Sequence, residues 1–395
     1  MRCRGLDVGN CGDSIIAVSA TRRRGNCALI VNQVSMKKIL VMTLEQGTNY
    51  GGILQAYALQ KVLVDLGHEP ETSCSAGVLH RRLIKAIPAS KWLYAKMTGN
   101  VRINNRAAAT YTGKFVSEKM TTVTFAEAKR RVRAGHYDAC VVGSDQVWRS
   151  AYAHVPHYLL SFVPPEVPRI SYAASFGREG LDEYRSGLVV RSRTLARRFS
   201  AISVREDSGV QVVRSYWGLP AEHHVDPTML LDARHYAALV AADDSVPEGS
   251  AGELFSYILD ANPDTRRIIE AVAARTGLTP FTVIDADGNN GRPMPSVTRW
   301  IKGFIDARFV VTDSFHGTVF AIIFNRPFIA VGNRERGVAR FGSLLRTVGL
   351  GDRLVATIDD VTDGLIVGHI DWAAVNRTIA DERESAREYL RRNLN

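Results

Sequence analysis

The run Asp313-Ser314-Phe315-His316-Gly317 follows the apolar stretch Phe309–Thr312 and leads into a second apolar segment. A turn between a strand and a helix therefore carries Ser314 and His316 near the helix N-terminus. Imidazole titrates near neutral pH, which suits His316 to pass a proton or, as imidazolium, to hold an anion. A histidine kept for packing is the alternative, and a loop position at a strand end argues against it.

Three other loops carry comparable groups. Thr48-Asn49-Tyr50-Gly51-Gly52 lies between a first strand and its helix, where paired glycines let a ligand approach the backbone; a tight turn has the same requirement. In Gly143-Ser144-Asp145-Gln146-Val147-Trp148 the polar residues suit sugar hydroxyls and Trp148 a stacking face. A helix cap and a core tryptophan are the alternative there. Arg205 closes Ile202-Ser203-Val204, placed to fork onto a phosphate or carboxylate or to pair with a neighbouring acid. Asn333, Arg334, Arg336 and Arg340 gather around Gly332 and Gly337, either to neutralise a dianion or as a solvated basic face. Metal chemistry is not expected, since His223 and His224 are adjacent and Cys74 and Cys140 isolated. Neither a Walker-type loop nor a Gly-x-Gly-x-x-Gly run occurs; Gly9–Asp13 imitates a phosphate loop but follows no strand.

These loops need strands and helices to hold them. From Met36 onward, short apolar runs alternate with helical spacing, the pattern of a mostly parallel α/β sheet. Strands are expected at 39–44, 138–142, 169–174, 201–204, 254–259, 281–284, 309–312 and 328–331. Ile53, Leu54, Tyr57, Ala58, Lys61, Val62 and Val64 predict a helix that Gly67 closes. Residues 36–230 form an N-terminal α/β domain, 231–252 a hinge region, 253–370 a C-terminal α/β domain, and 371–395 a helix that returns to the first domain. Residues 1–35 show no helix or strand period and read as a disordered or mis-assigned extension, with Met36 a plausible start.

The chain has 395 residues and a formal charge of +10, of which +3 lies in residues 1–35. A diffuse excess over the remainder is not a nucleic-acid stripe, and it fits a protein that handles small anions. No apolar run reaches the ~20 residues of a membrane helix. Five irregularly spaced cysteines argue for a reducing compartment, so the expected location is cytoplasmic.

Six ordered blocks resemble the polysaccharide pyruvyl transferase family. They are Thr48–Gln60, Val142–Trp148, Ser171–Gly177, Ser203–Glu206, Val225–Thr228 and Val311–Thr318. The resemblance implies two Rossmann-like domains facing a cleft, as in GT-B glycosyltransferases. It also implies transfer of pyruvate from phosphoenolpyruvate to a sugar or glycan precursor, forming a ketal, with no cofactor. On that basis His316 is the acid or phosphate-binding group, Arg205 the donor clamp and Asp145 the base. Ser314 and the Gly317 N–H assist, while Asn49, Gly51, Gly52, Ser144 and Asp145 line the acceptor side. Many relatives carry Arg-Leu-His where this chain has Ser314-Phe315-His316, so Arg336 or Arg340 is expected to supply the missing cation. A nucleotide-sugar glycosyltransferase on the same fold is the second reading, and a non-enzymatic anion or nucleic-acid binder the third. The acceptor sugar and the oligomeric state are not written in the sequence.

Overall fold

The computed structural model of the chain describes residues 14–23, 26–45, 49–74, 113–284, 295–332 and 337–395. Ser14–Arg23 (β1) and Asn26–Ser35 (β2) pair antiparallel, from Ser14 opposite Ser35 to Arg23 opposite Asn26, as a sheet of their own. The sequence reading found no strand period there. β-branched residues on both strands (Ile15, Ile16, Val18, Ile30, Val31, Val34) favour extended backbone. The Gly9–Asp13 stretch lies outside the described residues.

The first half is built on a five-stranded sheet of Lys38–Met42 (β3), Glu69–Cys74 (β4), Thr122–Thr124 (β5), Ala139–Val142 (β6) and Arg169–Ser171 (β7). Its order is β5-β4-β3-β6-β7 and every pairing is parallel. The short pair Ser203–Val204 (β8) and Glu222–His223 (β9) extends it through isolated bridges. The expected strand 169–174 stops at Ser171, with Ala173 bending the chain at φ 44°. The second half repeats the plan with Leu254–Tyr257 (β10), Pro280–Phe281 (β11), Phe309–Thr312 (β12), Phe328–Val331 (β13) and Leu354–Val355 (β14). Here the order is β11-β10-β12-β13-β14, again all parallel. Strands such as Ala139–Val142 and Phe309–Thr312 are buried throughout because helices cover both faces of a parallel sheet.

Helix Tyr50–Asp65 joins the halves. Thirteen of its sixteen residues are buried, so the helix is enclosed except at its last turn, where Val64 and Asp65 are exposed. Tyr50 stacks on Trp300 of the second half at 5.4 Å, and its hydroxyl donates to Pro295 O at 2.7 Å. Helix Trp372–Leu394 returns to the first half, where Tyr389 Oη donates to Ser171 O at 2.8 Å and Arg383 reaches the carbonyls of Met229 and Leu231. The stretch 231–252, read as a hinge, contains helix Ala233–Ala241, whose alanines favour helix over flexibility. Its Tyr236 is fully buried and donates to Thr228 O at 2.8 Å.

Candidate active site

In an open parallel sheet, connections leave a crevice at the carboxyl ends where neighbouring strands depart in opposite directions. In the first sheet that point lies between β3 and β6, in the second between β10 and β12. The loops leaving these four strands supply Leu44 and Asn49, Asp145 and Gln146, Leu259, and Asp313 to His316. All of them line one cleft of about 320 Å³, with Tyr152, Arg340 and Phe341. Both switch points thus open into the same space.

His316 sits in the first turn of helix Phe315–Ile323, capped by Ser314, and is nearly buried. Its ring packs under the start of the Tyr50–Asp65 helix, where a Cβ on Gly51 would lie 2.0 Å from Nδ1. Gly51 is therefore glycine because the imidazole occupies the space of a side chain. Gly52 N–H donates to the capping Asn49 Oδ1 at 3.2 Å, and Asn49 itself is exposed on the cleft wall. His316 Nε2 lies 3.5 Å from Asp226 Oδ2, an ion-pair separation longer than a good hydrogen bond.

Asp226 organises the floor. Its Oδ1 accepts from Thr228 N–H at 3.0 Å and Thr228 Oγ1 at 2.7 Å, and its Oδ2 accepts from Arg205 Nη1 at 2.6 Å. Burial alone would raise its pKa, but His316, Arg205 and the Thr228 N–H hold it far below the carboxylate range. Arg205 Nη2 donates to Asp145 Oδ1 at 3.2 Å, and the Arg205 side chain is only 1% exposed. Each terminal nitrogen of Arg205 donates to a carboxylate, so the side chain bridges Asp226 and Asp145 beneath the cleft. Asp145 adopts φ 69°, a left-handed turn that Asp tolerates, and presents its carboxylate to the cleft. Burial pushes its pKa up, and Arg205, His316, Arg340 and the Gln146 N–H outweigh this, leaving it lowered.

Arg340 is the cleft's second buried cation, its guanidinium 5.2 Å from the Phe315 ring centroid, with that of Arg205 at 4.7 Å over the same ring. Burial and the nearby Arg205 push the Arg340 pKa down to about 10, with Asp145 and Glu206 opposing, so it stays charged at neutral pH. Arg340 is thus the cation beside Ser314-Phe315-His316; Arg336 lies outside the described residues.

Several expected residues have structural duties. Ser314 lines the cleft, but its Oγ accepts Gly317 N–H at 3.2 Å, and a Cβ on Gly317 would meet Thr312 Oγ1 at 2.3 Å. Gly317 N–H is therefore turned to its cap and not to a ligand. Ser144 is buried beneath the wall: its Oγ donates to Ala173 O at 2.7 Å and its N–H to Gln55 Oε1 at 3.0 Å. Trp148, read as a stacking face, is fully buried against Phe176 and Trp217, its indole N–H donating to Tyr158 O. Asp313 ties two loops, accepting the N–H groups of Leu259 and Asp260.

The sequence alone assigns no role to Asp226, Gln55, Phe315 or Tyr152. Gln55 Nε2 donates to Thr43 Oγ1 and Gly52 O, locking the helix to the ends of β3 and β6. Gln55, set within the apolar run Ile53–Leu59, was the available signal. For Asp226 it was an acid at a strand end ahead of Pro227-Thr228, the mark of a cap.

The fold falls in the GT-B class of two facing α/β domains. Arabidopsis thaliana UGT89C1 complexed with UDP-L-rhamnose superposes with a TM-score of 0.51 at 9% identity, covering 91% of this chain and 99% of that one. The spinosyn rhamnosyltransferase SpnG complexed with thymidine diphosphate gives 0.42 at 15% identity over 91% and 100%. No curated protein matches the chain in sequence. The family model for polysaccharide pyruvyl transferase matches residues 49–335, and the chain belongs to that family. Among the described residues no helix is long and apolar enough to cross a membrane, and no three His, Cys, Asp or Glu are grouped to hold a metal.

Proposed function

We propose that this enzyme transfers the pyruvyl group of phosphoenolpyruvate to a sugar of a cell-surface polysaccharide or its precursor and closes a pyruvate ketal. The observation that carries the reading is the buried Arg340 cation beside His316, with the Asp226 carboxylate behind the imidazole. Arg340 would hold the donor's anionic groups. His316, faced by Asp226, would deliver a proton to the methylene carbon, making C2 electrophilic. A sugar hydroxyl oxygen then bonds to C2, the C2–O bond to phosphate breaks with release of inorganic phosphate, and a second hydroxyl oxygen closes the ring. Of the two hydroxyl protons released, one matches that added to the methylene carbon and the other leaves on phosphate. Asp145, ionised and of low proton affinity, suits orienting the attacking hydroxyl and stabilising positive charge at C2 better than retaining a proton. These steps call for no cofactor.

Phosphoenolpyruvate at ~100-fold its dissociation constant should stabilise the protein by about 2.7 kcal/mol and raise its melting temperature. Phosphate release should follow on adding an acceptor from a panel of lipid-linked and nucleotide-linked sugars. A melting shift with UDP-glucose and none with phosphoenolpyruvate would overturn the reading in favour of nucleotide-sugar glycosyl transfer.

A further inference from the structure

Of the large apolar side chains left exposed among the described residues, Tyr152 and Leu259 line the cleft, one from each half. Tyr152 is 50% exposed, an unusual state for an aromatic ring at the mouth of a concave site. Paired groups surround the rest of it. The Arg149 guanidinium lies 4.4 Å from the ring centroid. Arg149 is itself buried, paired with Glu183 at 3.0 Å and donating to Gln146 Oε1 at 3.1 Å. The Tyr152 N–H closes the turn onto Arg149 O at 3.0 Å. A ring held this way loses little freedom when something stacks on it.

We infer that Tyr152 is the stacking platform for the acceptor sugar, the part that the sequence had suggested for Trp148. This rests on the reading of the cleft as a sugar-modifying site. A pyranose presents an apolar C–H face to an aromatic ring and polar hydroxyls around its edge. Gln146 and the Asp145 carboxylate stand on the same wall as Tyr152 and match that edge. Tyr152 and Arg340 line the same cleft, so a sugar stacked there shares it with the proposed donor-anion position. A nucleotide base is the other natural occupant of an aromatic platform. The titration below separates the two, because a loss confined to UDP would mark a base platform.

The test needs no donor. Methyl glycosides of galactose, glucose, mannose and N-acetylglucosamine and, separately, UDP are titrated at millimolar concentration by saturation-transfer NMR, without phosphoenolpyruvate, into the wild-type protein, Tyr152→Ala, Tyr152→Phe and Tyr152→Trp. The expected result is that a glycoside bound by the wild type is weakened about tenfold, ~1.4 kcal/mol, by Tyr152→Ala. Phe and Trp should hold affinity within about twofold, since each keeps an aromatic face. Tyr152→Ala should keep its melting temperature, because the ring is half exposed. Unchanged glycoside affinity in Tyr152→Ala, no glycoside binding to the wild type, or a loss confined to UDP overturns the platform. Absence of both a phosphoenolpyruvate melting shift and phosphate release counts against the proposed reaction alone, because the sugar titration is read without either.

Discussion

Gly51→Ala separates the chemistry of the site from the stability of the fold. Gly51 is the second residue of the Tyr50–Asp65 helix and has no positive φ, so alanine suits its backbone and by propensity would favour the helix by about 1 kcal/mol. The added methyl, however, would lie 2.0 Å from His316 Nδ1 and 2.1 Å from Cγ. Restoring an ordinary contact of ~3.5 Å requires the ring or the helix start to shift by about 1.5 Å. Overpacking of this kind costs roughly 1–3 kcal/mol, so the net loss is about 0–2 kcal/mol. For domains of this size that lowers the melting temperature by at most about 8 °C. Displacing the proton donor by more than an ångström should cost on the order of 10²-fold in kcat/KM. Gly187→Ala is the control, since it stands in an exposed helix start with nothing within 4 Å and should melt and turn over normally. Phosphate release from phosphoenolpyruvate and thermal melting are measured on all three proteins. Full turnover in a Gly51→Ala enzyme would refute the reasoning, as would a melting temperature that collapses well beyond the calculated range.

Asp226→Asn should destabilise the protein by about 3–5 kcal/mol in urea unfolding, because it leaves buried Arg205 short of charge, and adding Arg205→Met should recover part of that loss. Asp145 and Asp226 bind protons less readily folded than unfolded, so their contribution to stability is complete above pH ~5 and is lost as pH falls through about 4 toward their lowered folded values. Urea midpoints should therefore drop more steeply toward acid in the wild type than in Asp226→Asn; parallel curves would refute this.

The apolar runs make the central strands legible, and Phe328–Val331 and Phe309–Thr312 lie where periodicity puts them, whereas polar Glu69–Cys74 and the short Thr122–Thr124 and Leu354–Val355 show no such run. The short pieces Pro280–Phe281 and Ser203–Val204 carry too few residues to show a period, so their bounds shifted. The loops were legible for a similar reason: polar residues after buried strands must end at the carboxyl edge of a parallel sheet. What each loop residue does there was not legible, because this depends on partners far along the chain. Arg205 could be read equally as an anion clamp or an ion pair until Asp226 and Asp145, respectively 21 and 60 residues away, met its two nitrogens. Trp148 and Tyr152 are four residues apart on one loop, and only packing decides that the larger ring goes inside.

The charges of the assembled site carry a consequence that no single residue shows. Arg205 and Arg340 are set among Asp145, Asp226 and Glu206, so before a donor enters, the cluster holds no surplus of positive charge. Of these acids, Asp145 is the one on the cleft wall, and as an ionised group it repels the phosphate and carboxylate of phosphoenolpyruvate. If Asp145 is kept for the chemical step, Asp145→Asn should bind phosphoenolpyruvate more tightly and turn it over more slowly. The fold should lose less stability than in Asp226→Asn, because Arg205 keeps its shorter pair to Asp226 at 2.6 Å. Asn has the same shape, adopts φ near 69° at least as readily as Asp, and retains an oxygen to accept from Arg205 and Gln146 N–H. Removing the repulsion should lower the donor dissociation constant by a factor on the order of 3–10 at physiological salt. Losing the charge that orients the hydroxyl and offsets positive charge at C2 should lower kcat by about 10²-fold or more. Donor affinity is read by calorimetry and kcat by phosphate release. Weaker donor binding with kcat intact would mean that Asp145 only props Arg205 in place.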